Sequence, residues 1–148
     1  MWDNNNERVT METSKPVDLN VVGEDSKRVY KGSFTFRGTL TRRQRLYADQ
    51  VRRRALGPSP EGTEPLPTAQ TDAYMIGQCA ARVMDAPVWW QESDSGMDLD
   101  DNNVLVAVYD AALKVEDEVK GLLSKDAEKV TKKLKDRKVE APMAESED

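Results

Sequence analysis

From Lys15 onward the apolar positions Val17, Leu19 and Val21 alternate with Asp18 and Asn20, the period of a half-buried strand. Gly23-Glu24-Asp25-Ser26 is turn chemistry, and the run from Val29 to Phe36 is rich in β-branched and aromatic residues, with Tyr30, Phe34 and Phe36 on one parity and Gly32 between them. The pattern predicts a β-hairpin over 16–37. Two strands alone are marginal in water, so the apolar face of this hairpin needs a cover.

The period then becomes helical. Thr39 or Thr41 can cap a helix over 41–56 that Gly57 and Pro58 close, with Leu46, Tyr47, Val51 and Ala55 (and Leu40 before them) forming a narrow apolar stripe. Residues 57–67 hold four prolines and two glycines and read as a surface loop. A second helix is predicted over 69–84, where Ala69, Ala73, Ile76, Ala80, Val83 and Met84 recur at helical spacing and Gly77, Ala80 and Ala81 permit close approach of another helix. Asp85-Ala86-Pro87-Val88-Trp89-Trp90 breaks it. A third helix over 101–123 has Asp98, Asp100 or Asp101 as its cap, and Val104, Leu105, Val108, Tyr109, Ala112, Val115, Val119 and Leu122 as its inward face. Beyond Ser124 the pattern thins to Val130, Leu134 and Val139, a solvated helix or a frayed tail. Residues 1–14, with Trp2 the one large apolar aromatic, read as a flexible arm, and 125–148 as a charged extension. The fold class this implies is α+β, mostly α: an N-terminal hairpin packed on three helices in a domain over 15–124, with arms at both ends.

Composition narrows the chemistry. The chain of 148 residues has room for one modest core. It contains no histidine, which removes imidazole bases, Ser-His and Cys-His nucleophile pairs and histidine metal ligands. One cysteine, Cys79, leaves no intrachain disulfide and no multi-cysteine zinc site; it reads as a small buried hydrophobe. No run approaches the ~20 apolar residues of a membrane span, and the polar residues 1–12 do not resemble a secretory signal. No phosphate-cradling glycine loop and no nucleophile-elbow motif occurs. The acidic run from Asp94 to Asn103 fails as an EF-hand loop. Counted from Asp98, position six is Asn103 where glycine is needed, and position twelve is Tyr109 where glutamate is needed. Acidic residues at a helix N-terminus explain that run without a metal. The expectation is a protein that is not an enzyme and needs no cofactor.

The net charge of −5 is unevenly placed. Residues 1–56 carry 12 Lys/Arg against 7 Asp/Glu, residues 57–118 carry 2 against 13, and residues 119–148 carry 8 against 7. The acidic middle disfavours nucleic acid, because it repels the phosphates that the arginines attract. Arg42, Arg43, Arg45, Arg52, Arg53 and Arg54 are therefore candidates for protein contact, internal or with a partner. Part of the cluster also has a plain structural reason, since cations favour the C-terminal end of a helix. Trp89 and Trp90 are the other candidates. Together with Met84 and Ile76 they could line an apolar groove for a partner, or they could close the core.

Val29 to Arg37, Arg42 to Arg54, the Asp85-Ala86-Pro87-Val88-Trp89-Trp90 turn, and Leu99-Asp100-Asp101 followed by Val104 to Glu116 together resemble tail assembly chaperones of tailed bacteriophages. The resemblance covers about 17–118; the loop 57–67 and the extension after Leu123 depart from it. It implies a small helical domain with a hairpin that binds tail tube or tape measure proteins without catalysis, in the cytoplasm of the infected host. A structural virion protein of the cement, neck or baseplate kind, locking neighbouring subunits or copies of itself, is the alternative.

Overall fold

A computed structural model describes residues 14–59 and 62–140, with side chains to residue 135. Residues 1–13 of the expected N-terminal arm and the acidic end after Glu140 lie outside the described residues, whereas Ser14, expected in that arm, opens the first strand. The protein is a mostly helical α+β fold that begins with an antiparallel hairpin, β1 (Ser14–Val22) and β2 (Val29–Arg37). Three helical segments of one turn or more follow before the last element: α1 (Arg42–Leu56), α2 (Pro67–Arg82) and the single turn α3 (Val88–Gln91). The strand β3 (Val83–Asp85) lies between α2 and α3, and the long helix α4 (Asn102–Glu140) comes last.

In the hairpin, Val17 faces Phe34 and Val21 faces Tyr30 across the strands. The parity read from the sequence holds: Tyr30, Phe34 and Phe36 are buried, and Val17, Leu19 and Val21 are half-buried. The cover is α4, which packs across both strands and against α2, while α1 packs on α2. Phe34, Phe36, Cys79, Trp90, Val108, Val115 and Val119 meet in one core.

Several boundaries differ from expectation, beginning with β1, which starts at Ser14. The second helix stops at Arg82, and Val83–Asp85 joins the sheet, with Phe36 opposite Val83 and Thr35 opposite Asp85. Three residues are too few to show a strand period, and their apolar side chains extended a helical pattern that was already running. The third helix continues to Glu140, and its residues from Ser124 to Lys135 are exposed, so the solvated-helix reading of the extension holds over that stretch. At 39 residues it is roughly 58 Å long.

Local signals set the ends of α1. Thr41 Oγ1 accepts the Gln44 amide (3.2 Å) and Gln44 Oε1 accepts the Thr41 amide (2.9 Å), a reciprocal cap, so Thr41 and not Thr39 starts the helix. Gly57, at φ 69°, ends it. Helix α2 starts two residues earlier than expected, with Pro67 in its first turn, where a missing N–H costs nothing.

Candidate functional site

The sequence made the arginine helix and the tryptophan pair the candidate contact residues, and the structure gives the two sets different surroundings. Trp90 is 4% exposed, with its ring edge-on to Phe34 at 5.7 Å. Trp89 is half-buried: its Nε1 donates to the Lys31 carbonyl (3.0 Å), and its ring meets Tyr30 at 5.0 Å and Phe34 at 5.6 Å. Pro87 lies over Gly32, where an added Cβ would come within 2.6 Å of the proline ring. The Pro-x-Trp-Trp turn is thus a plug on β2. The expectation of an open groove formed by Trp89, Trp90, Met84 and Ile76 is corrected: Ile76 and Trp90 are core residues, and Met84 is exposed outside that core.

Helix α1 keeps part of the expected stripe inward, at Val51 and Ala55, and turns Leu46 and Tyr47 outward. Its buried residues are Ala48 and Val51, with Gln44, Arg52 and Ala55 half-buried beside them, whereas Leu46 is 61% and Tyr47 49% exposed. The cause is the α1–α2 contact. A Cβ on Gly77 would lie 2.4 Å from the Ala48 carbonyl oxygen, so the two backbones approach through small residues and no large apolar side chain fits between them. Leu46 and Tyr47 therefore face outward. At helical spacing they share that face with Arg42, Arg43, Gln50 and Arg53, all exposed.

The arginines divide by partner. Arg52 and Arg53 both bind Asp49, at 2.9 and 2.8 Å, and the Arg52 hydrogen bond is the main cause of an Asp49 carboxyl held below its ordinary range. Arg54 reaches Asp94 in the loop after α3, at 3.2 Å. Arg42, Arg43 and Arg45 form no ion pair among the described residues.

Asp101, one of three candidate caps of the last helix, is fully buried and serves another element. Its carboxylate accepts from the Asp25 amide (2.7 Å), the Ser26 amide (2.9 Å) and hydroxyl, and the Tyr30 hydroxyl (3.2 Å). Asn103 adds two bonds to the same turn, accepting from the Glu24 amide (3.0 Å) and donating to the Val22 carbonyl (2.9 Å). The hydrogen bonds from Ser26 lead in holding the Asp101 carboxyl at about 2. Asp98 and Asp100 stay at the surface, and among the described residues no three Cys, Asp or Glu side chains converge as a cation site.

Composition and spacing do not point to a concave site between α1, α2 and α4. A pocket of about 290 Å³ opens there, lined by Arg45, Tyr74, Gln78, Arg82, Glu116 and Lys120 among others. Tyr74, Gln78 and Arg82 lie four residues apart on one face of α2, and Glu116 and Lys120 four apart on α4. The signal in the sequence was Arg82, one of two cations in the acidic block 57–118, set among the small apolar residues that end α2. Cys79, one turn before it, is fully buried, and burial pushes its thiol up to about 12, so it is an inert core residue.

No helix among the described residues is long and apolar enough to cross a membrane. Comparison of the chain with protein-family models, with curated proteins and with solved structures returns no match.

Proposed function

We propose that this protein is a non-catalytic binding module that acts as a tail assembly chaperone of a tailed bacteriophage, docking a tail tube or tape measure protein on the outer face of α1. The observation that carries the reading is the exposure of Leu46 and Tyr47 among Arg42, Arg43 and Arg53, on a helix whose inner face is closed by small residues. Exposed large apolar side chains ringed by cations suit a client that presents apolar groups beside carboxylates. The bound state then buries both side chains, and the unpaired Arg42 and Arg43 set its orientation. The acidic block of the same chain argues against nucleic acid as the client.

The double variant Leu46→Ser/Tyr47→Ser tests the docking face. Neither side chain belongs to the core, so stability should change by no more than about 0.5 kcal/mol. Pull-down from infected cells should recover a tail tube or tape measure protein with the natural chain, and lose it with the variant. A second reading, a structural virion protein, draws on the length of α4, which supplies an arm for joining neighbouring subunits. A mass-spectrometric inventory of mature particles separates the two. Stoichiometric presence would refute the chaperone role, and absence from particles with abundance in lysate would refute the structural one.

A further inference from the structure

Among the described residues, Arg82 Nη1 is the one buried side-chain nitrogen or oxygen without a hydrogen-bond partner. A guanidinium carries five N–H donors, and burying it is costly unless they are met. Arg82 is 7% exposed. Its Nε donates to Gln78 Oε1 at 3.2 Å, and its Nη2 stands 3.4 Å from Glu116 Oε2. That separation is long beside the roughly 2.7–2.9 Å of a charge-assisted bond. Glu116 is committed elsewhere: its other oxygen lies 2.6 Å from Lys120 Nζ. The buried fork is therefore under-partnered, at the wall of a pocket that also presents Arg45 and Lys120. Three cations face one carboxylate, and Arg45 has no ion pair among the described residues.

We infer that the pocket between α1, α2 and α4 binds a small carboxylic acid, with its carboxylate on the Arg82 guanidinium and with Arg45 and Lys120 at the rim. A planar carboxylate matches a planar two-pronged donor. The Tyr74 ring and Leu40 offer an apolar wall for the carbon skeleton of the acid. A compact dianion such as phosphate would meet Glu116 without using that wall. The volume, about 290 Å³, suits a small organic acid. The site is independent of the outer face of α1, because Arg45 turns toward α2 while Leu46 and Tyr47 face away.

Calorimetric titration of the full chain with succinate, at ionic strength matched by sodium chloride, tests the site. Saturable binding is expected, lost in Arg82→Gln and weakened roughly 10-fold in Arg45→Gln, the effect of one charge-assisted contact. Arg45 is exposed and unpaired, so its variant carries the test if Arg82→Gln fails to fold. Binding should survive Leu46→Ser/Tyr47→Ser, which separates this site from the client surface. A capped glutamyl peptide is titrated in parallel. If it binds where succinate does not, with the same dependence on Arg45 and Arg82, the carboxylate site stands and its source is a protein chain. No saturable binding of either, binding of inorganic phosphate alone, or binding unmoved by both substitutions would overturn the inference.

Discussion

Asp101 ties the turn between the first two strands to the start of the last helix, and its four donors all act on the ionised form. Its folded pKa of about 2 lies below the ordinary value of 3.8. A depressed carboxyl contributes stability that is fully present above the unfolded pKa and is lost as pH falls through the folded one. The natural chain should therefore lose part of its stability between about pH 4 and pH 2. Asp101→Asn, which turns donors toward donors, should melt lower at pH 7, by on the order of 5–10 °C. Its curve should converge on that of the natural chain near pH 2. Melting followed by circular dichroism across pH 2–7 checks this, and a constant gap down to pH 2 would refute the clamp. Sequence reading placed an acid at this point of the chain but assigned it to its own helix. Only the fold brings residues 25 and 101 together.

At the scale of elements, α1 and α2 meet through Ala48 and Gly77, and this contact reverses a familiar rule. Alanine for glycine inside a helix ordinarily stabilises by up to about 1 kcal/mol. At Gly77 the added Cβ meets the Ala48 carbonyl oxygen at 2.4 Å, a backbone atom that cannot rotate away. Gly77→Ala is therefore expected to destabilise by about 1–3 kcal/mol. Gly121→Ala on α4, where nothing lies within 4 Å, should stabilise instead. Chemical denaturation of the two variants reads the opposite signs directly. The same contact explains what the sequence concealed. The hairpin was legible because its inward residues are large and alternate strictly, as Tyr30, Phe34 and Phe36 do. So was the buried part of α4, through Val104, Val108, Val115 and Val119. The inward face of α1 is small, so Leu46 and Tyr47 dominated the pattern although they point away from the core. The tryptophans were conspicuous and proved largely structural, whereas Arg82 needed three helices in place before its surroundings had meaning.

For the molecule as a whole, the core ends where α4 passes Leu123. Leu122, Val130 and Leu134 are each about half exposed, and the last 17 residues of the helix extend it by roughly 25 Å. Ending the chain after Ser124 should leave the melting temperature within about 3 °C, because no core residue is removed. Helical signal should fall with the lost turns. A larger drop in melting temperature would place the distal helix against the body. Glu118, near the end of the buried part, still reaches back to Lys15 on β1 at 3.2 Å.

That return of α4 to the hairpin bears on how the chain is made. The two strands are made before α4 during synthesis, yet Phe34 and Phe36 are covered by residues such as Val108, Val115 and Val119, and the turn at Ser26 is closed by Asp101. Until those residues have been translated, the newborn hairpin carries an uncovered apolar sheet and an unmet cluster of amides. The native core therefore closes only once α4 has been translated, and every nascent copy passes through a stage in which the apolar face of its hairpin is open to its neighbours.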